Sequence, residues 1–218
     1  MNNHEHPAHR AVKDALMGSL GETLLTNFYL ATKLWERHWE NPSLEMSYRP
    51  IEEYPIVSKP YGVKVNGKPL VKSIYIDFVF VVEPGLGAIA CNECVYVGVE
   101  IKSSYHDIAN VAEQMSRYRE HADYWFLAVP DELIKAAIYL TQDCPWIGVC
   151  SYETGKIHKL PERNDVPDEN RITMLHRLVF CPTQEAKHIF RPDYQGTPYE
   201  TTTSSNNPST EQHVPINS

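Results

Sequence analysis

The hydrophobic period of the chain changes repeatedly, and each change marks an element. Residues 1–10 are polar and predict a frayed start, after which Ala11 to Met17 has helical spacing up to a break near Gly18. Ser19-Leu20-Gly21-Glu22 fits a capping box. Leu24, Leu25, Phe28, Leu34 and Trp35 would line the buried side of a helix reaching about His38, with Asn41-Pro42 as its stop. Residues 44–58 alternate aromatic and apolar positions around Pro50 and Pro55, which predicts a strand with irregular edges. Asn66-Gly67 is a type I′ turn signal between Tyr61–Val65 and Pro69–Val82. Glu83 to Gly87 reads as a loop and Val95–Lys102 as the next strand. Asp107 to Arg119 has helical spacing, with Ile108, Val111, Ala112, Met115 and Tyr118 on one face. Tyr124–Val129 is a buried strand, Pro130-Asp131 opens a helix over Glu132–Leu140, and Trp146–Ser151 with Lys156–Leu160 forms a last hairpin.

A helix, three strands, a helix, a strand, a helix and further strands define an α/β protein with a mixed central sheet flanked by helices. Helix–strand alternation after Lys102 requires at least one parallel crossover. Residues 1–18 read as an N-terminal extension and 19–191 as one domain. Residues 192–218 read as a disordered tail, rich in Thr, Ser, Asn and Pro and without Lys or Arg. The length of 218 residues suits one domain. No apolar stretch approaches the ~20 residues of a membrane span, and the N-terminus lacks the basic and apolar regions of a signal peptide. Cytoplasmic residence is the default that follows. The five cysteines, 91, 94, 144, 150 and 181, are therefore expected to be reduced. Cys91-Asn92-Glu93-Cys94 has no second pair to complete a zinc site and reads as small residues near a turn.

The strand Tyr96 to Ile101 carries an anomaly. Glu100 and Lys102 interrupt an apolar run, and at i and i+2 they share one face. A buried carboxylate and ammonium are costly unless they pair or hold a metal. Asp77 is a second intrusion, in Ile74-Tyr75-Ile76-Asp77-Phe78-Val79. Alternation puts Asp77 on the Tyr75/Val79 face and Glu100 with Lys102 on the Gly98 face, where Gly98 would leave room beside them. If the strands pair in matching register, two acids and a lysine meet. Mg²⁺ held by carboxylates would activate water and stabilise a phosphodiester transition state, and a lysine would orient the water. An internal salt bridge of structural role satisfies the same spacing.

The surrounding residues favour the first reading. Asp77, then Glu100-x-Lys102, then a helix and the strand Phe126-Leu127-Ala128-Val129-Pro130 together resemble the PD-(D/E)XK nuclease superfamily, the restriction-endonuclease-like fold with its αβββαβ core. Gln114-Met115-Ser116-Arg117-Tyr118 is similar to the Q-x-x-x-Y element of RecB-type members, which are bacterial DNA-repair or recombination nucleases. The likeness covers residues 19–160, and Ile76 stands where many members have proline. It implies that Asp77 and Glu100 bind Mg²⁺ (or Mn²⁺), with the Ile101 carbonyl as a third ligand, and that Lys102 positions the water. It also implies supporting or substrate contacts from Gln114, Tyr118 and Ser103, and a metal-shell role for Glu22, which the capping box explains equally concretely.

The expected function is a metal-dependent nuclease cutting phosphodiesters, in DNA ahead of RNA. The alternatives are a silent binding module of the same fold and an accessory subunit that needs a partner protein; many similar nucleases are homodimers. A net charge of −8 argues against broad non-specific nucleic-acid binding. Locally, residues 59–72 carry Lys59, Lys64, Lys68 and Lys72 without an acid. Lys64 and Lys68 read either as phosphate contacts or as lysines protecting a hairpin edge. His106, His121 and His158 are scattered, and Gly85-Leu86-Gly87 lacks the rest of a dinucleotide fingerprint.

Overall fold

The computed structural model describes residues 7–32, 46–57, 61–65, 68–70, 73–84, 94–180 and 187–189. Helix α1 (Pro7–Met17) is four residues longer at its start than its apolar spacing predicts. Pro7 supplies the preset backbone angle that suits a first helical position. A turn at Gly18, whose N–H donates to the Ala15 carbonyl at 3.0 Å, leads into α2 (Ser19–Thr32). The predicted continuation to His38, the Asn66-Gly67 turn, Cys91 and the tail all lie outside the described residues.

The strands are β1 (Met46–Val57), β2 (Tyr61–Val65), β3 (Lys68–Leu70), β4 (Ser73–Pro84), β5 (Val95–Ile101), β6 (Tyr124–Val129), β7 (Ile147–Ser151), β8 (Ile157–Lys159) and β9 (Lys187–Ile189). Seven of them form one mixed sheet in the order β8-β7-β6-β5-β4-β1-β9. β1, β4 and β5 run antiparallel in sequence, and β6 and β7 then add parallel to β5. Among the described residues β2 and β3 pair only with each other, so the predicted long second strand divides into β3 and β4. The α/β class and the parallel crossover are as the sequence predicts.

Both faces of the sheet are covered. α1 and α2 bury Leu16, Leu24, Leu25 and Phe28 against Phe78, Phe80, Val97 and Phe126. The opposite face buries Val79, Val81, Tyr96, Trp125 and Leu127 under Ile108, Val111, Met115 and Tyr118. β5 and β6 are therefore buried along their whole length, which explains their nearly continuous apolar sequence. Among the described residues no helix is long and apolar enough to cross a membrane.

The single helix expected over Asp107–Arg119 is two short ones, α3 (Tyr105–Ile108) and α4 (Val111–Ser116), followed by a tight 3₁₀ turn at Arg119–His121. Ser104 caps α3 by accepting from the Asp107 N–H at 3.3 Å and donating to its carboxylate at 2.6 Å. Asn110 leaves helical geometry at φ −114° and ψ 18°, as residues that compete with backbone hydrogen bonds do. The apolar periodicity survives the break, with Ile108, Val111, Met115 and Tyr118 all buried. After β6 come a 3₁₀ turn at Asp131–Leu133 and α5 (Ile134–Leu140). Two further elements are not predicted from the sequence: α6 (Asp168–Phe180), and β9, which extends the sheet beside β1.

Gly98 corrects another expectation. Its missing side chain leaves no room for a metal, because a Cβ there would lie 2.3 Å from the Trp125 ring. The space belongs to the indole of the neighbouring parallel strand. Gly98→Ala is expected to destabilise the fold by about 1–3 kcal/mol through overpacking, read as a lower midpoint in urea unfolding. An unchanged midpoint would show that Trp125 moves aside freely.

Candidate active site

The β4–β5 ladder runs from Val82↔Val95 to Phe78↔Val99, and one further step in that register sets Asp77 opposite Glu100. Pairing stops there. β5 stays with β6, the Lys102 N–H donating to the Ala128 carbonyl at 3.0 Å. The ladder groups of Ile101 are consequently left to side chains. Its N–H donates to Asp77 Oδ2 at 2.9 Å, and its carbonyl lies 3.3 Å from His9 Nε2. The N–H and C=O of one residue share a strand edge in an antiparallel ladder, so Asp77 and His9 converge. His9 Nε2 stands 3.5 Å from Asp77 Oδ2.

Glu100 is 2% exposed. Its Oε1 receives Lys102 Nζ at 2.6 Å and Gln114 Nε2 at 2.7 Å, while its Oε2 is buried without a hydrogen-bond partner. The Tyr118 hydroxyl is also buried without hydrogen-bond geometry, yet it lies close enough to Glu100 to favour the ionised carboxylate. Burial, and then the negative charge of Asp77, nonetheless push the Glu100 carboxyl up to about 7, against the opposing pull of Lys102. Burial and the Glu100 charge raise the Tyr118 phenol, so that its proton stays in place. The Asp77 contact is the main reason the His9 pKa is raised, with burial opposing.

The sign of the resulting pH dependence follows directly. A carboxyl whose pKa is 4.5 in the unfolded chain and about 7 in the fold makes the folded state hold the extra proton between those values. Stability from this group is complete below pH 4.5 and is lost as pH rises through 7. Glu100→Gln is expected to remove that dependence and to be the more stable protein at pH 8 without metal, as measured by urea unfolding across the range. A wild type and Glu100→Gln with parallel pH profiles would show that Glu100 is ionised throughout.

Of the residues picked out in the sequence, the structure brings together Asp77, Glu100, Lys102, Gln114, Tyr118 and the Ile101 backbone. Lys102 is 15% and Asp77 18% exposed, so the centre opens to solvent on the Lys102–Asp77 side. Ser103 follows half-buried. Glu22 is exposed in the first turn of α2, and its charge adds to burial in raising the pKa of Tyr48, whose ring packs on the other face of the sheet. Among the described residues no contact ties Glu22 to Asp77 or Glu100. Lys64 and Lys68 fall on β2 and β3, and their side chains lie outside the described residues.

His9 is the functional candidate that sequence reasoning misses. It sits one turn from Lys13 and two from Leu16, both buried, on the face of α1 turned to the sheet. Glu52 on β1 holds that helix through Arg10 at 2.7 Å and Lys13 at 3.9 Å. A helix start at Pro7 and the spacing of His9, Val12, Lys13 and Leu16 are the signal that marks it.

Among the described residues no three His, Cys, Asp or Glu side chains are gathered as a ready-made metal site. The donors present are two carboxylates and one backbone carbonyl, with the His9 imidazole paired to Asp77 beside them. Oxygen-rich sets of this kind suit a hard divalent cation. The unpartnered Glu100 Oε2 is the atom such a cation would satisfy, and the mutual repulsion of Asp77 and Glu100 is what it would relieve.

No family model and no curated protein matches the chain. Among solved structures, a similar one is the SPO1766 protein of unknown function from Silicibacter pomeroyi, 17% identical, with a TM-score of 0.40 over 67% of this chain and 79% of that one. A likeness that distant defines neither fold family nor activity.

Proposed function

We propose that the chain is a divalent-metal-dependent nuclease with a restriction-endonuclease-like core, acting on DNA ahead of RNA. The observation that carries the reading is the buried, half-satisfied carboxylate of Glu100 facing Asp77 with Lys102 beside it. The chain order supports it, because α2, the β1–β4–β5 meander, the α3–α4 segment and parallel β6 follow the αβββαβ succession.

Asp77, Glu100 and the Ile101 carbonyl would hold Mg²⁺ or Mn²⁺, with His9 beside Asp77 positioning that carboxylate. The bound ion supplies an acidified water and neutralises charge on the phosphoryl oxygens. Gln114 and Lys102 both occupy Glu100 Oε1, and so leave Oε2 as the ligand atom. Lys102 keeps its ammonium at the solvent-exposed rim, where it orients the attacking water and offsets developing negative charge. Tyr118, buried beside Glu100, helps keep bulk water from that carboxylate.

A second reading rests on the 2.6 Å Lys102–Glu100 contact, which by itself is a complete ion pair. In that case the chain is a binding module, or a subunit that cuts only with a partner. Incubation with Mg²⁺ or Mn²⁺ and linear, nicked, single-stranded and branched DNA separates these readings. The nuclease reading predicts cleavage by the wild type that is slowed by about 10²–10³-fold in Lys102→Ala. Equal behaviour of the two removes it, and cleavage that appears only on mixing with another protein favours the accessory subunit.

A further inference from the structure

Large apolar side chains left in solvent are few among the described residues, and two of them flank the centre. Tyr75, 54% exposed, precedes Asp77 by two positions on β4. Tyr105, 62% exposed, begins α3 three positions after Lys102. Chain reach alone keeps each tyrosine Cα within about 10 Å of the neighbouring catalytic residue's Cα. The β4–β5 register, carried past Asp77, points Tyr75 toward the Lys102 position, where the two strands have parted. Two exposed rings thus stand at the rim through which a phosphodiester reaches Lys102 and Asp77.

Charge decides what kind of strand they suit. A duplex is held chiefly by neutralising phosphates, and a protein of net charge −8 is poorly equipped for that. Among the described residues the cations close to the centre are already committed: Arg10 to Glu52 and Asp14, Lys13 to Glu52, and Lys102 to Glu100. Stacking on aromatic rings provides affinity that needs no net positive charge, but it needs bases whose faces are free. Bases inside a duplex are stacked on one another, and only unpaired ones can offer a face to tyrosine.

We infer that the substrate is presented single-stranded, with unpaired bases next to the scissile phosphate stacking on Tyr75 and Tyr105. The inference rests on the nuclease reading of the same site. It is tested by fluorescence anisotropy with a labelled oligothymidylate of about 16 nucleotides and a matched blunt duplex. Binding is measured in Ca²⁺, and cleavage of both probes in Mn²⁺. The proteins are wild type, Tyr75→Ala, Tyr105→Ala, the double variant, Tyr105→Phe and Glu100→Gln.

The expected result is single-strand binding that weakens about ten-fold or more for each ring removed, is kept in Tyr105→Phe, and exceeds duplex binding. Glu100→Gln should bind the single strand and fail to cut it. A wild type that cleaves, with the double variant binding and cutting the single strand as well as wild type does, overturns the stacking role and leaves the nuclease intact. Preferential binding and cleavage of the blunt duplex overturns it as well. A wild type that binds through both tyrosines but never cleaves removes the nuclease reading and keeps the single-strand surface. Absence of both binding and cleavage removes both.

Discussion

Lys102→Ala is expected to leave a folded protein whose metal-dependent cleavage is slower by about 10²–10³-fold, the loss typical of removing one preorganised charge-stabilising donor. The ammonium lies 2.6 Å from Glu100 Oε1 and is 15% exposed, so it faces both the carboxylate and the open rim. Without it Glu100 loses its counter-charge and, in the absence of metal, takes up a proton more readily. Asp77→Ala should be at least as damaging. It removes a carboxylate that would bind the cation and also the acceptor of the Ile101 N–H, so β5 loses the contact that fixes its end. Asp77→Asn separates the two effects, because its amide oxygen still accepts that N–H while the negative charge is gone. Activity lost in Asp77→Asn with unfolding unchanged assigns Asp77 to the chemistry. Single-turnover rates in Mn²⁺, with urea unfolding of each variant alongside, make the comparison.

The largest effect on stability is expected far from that centre, at Asp123. This carboxylate is fully buried and accepts from the Tyr96 N–H at 2.9 Å, from Arg171 at 2.5 and 3.2 Å, and from Arg163 at 3.1 and 3.2 Å. Arg171 is itself buried, stacks on the Tyr96 ring and donates to the Cys94 carbonyl. The cluster clamps the start of α6 and the preceding strap to the ends of β5 and β6, helped by the Asn164 N–H donating to the Asp123 carbonyl at 2.7 Å. Asp123→Ala leaves Arg171 as an unpaired buried cation and the Tyr96 N–H without an acceptor. Breaking a buried pair from one side costs about 3–5 kcal/mol, a large share of the stability of an ordinary domain. The midpoint of urea unfolding should fall sharply. A fall below about 1 kcal/mol would mean that water replaces the carboxylate and that α6 is held by its apolar contacts alone.

Much of this architecture is legible in the chain because burial on two faces leaves long apolar runs. β5 and β6 stand out for that reason, and so does the charged pair that interrupts β5. The convergence of Asp77 with Glu100 follows from alternation plus the antiparallel register. Other features are hidden because their partners are distant or are backbone. His9 meets a carbonyl 92 residues away, and a carbonyl leaves no mark on sequence. Asp123 resembles a loop acid before a strand, and Arg171, 48 residues on, looks like an ordinary helix cation. α6 does carry a start signal in Pro167-Asp168-Glu169, but its apolar positions are interspersed with Asn170, Arg171, His176 and Arg177 and give a weak apolar face. The break between α3 and α4 is missed because Asn110 ends a turn while leaving the apolar spacing intact. Gly98 misleads for the opposite reason: an absent side chain invites a ligand, and the indole of Trp125 had already taken the space.

Calorimetric titration of Mn²⁺ into the wild type, Asp77→Asn and Glu100→Gln, all confirmed as folded, tests most directly whether Asp77 and Glu100 share a cation. The expected result is saturable binding to the wild type with proton release that grows as pH falls from 8 toward 6, because Glu100 must ionise to take the ion. Both substitutions should abolish the binding. Wild-type protein that binds no Mn²⁺ would contradict the metal centre, and so would binding that persists in both variants. Glu100 and Lys102 would then be a structural ion pair.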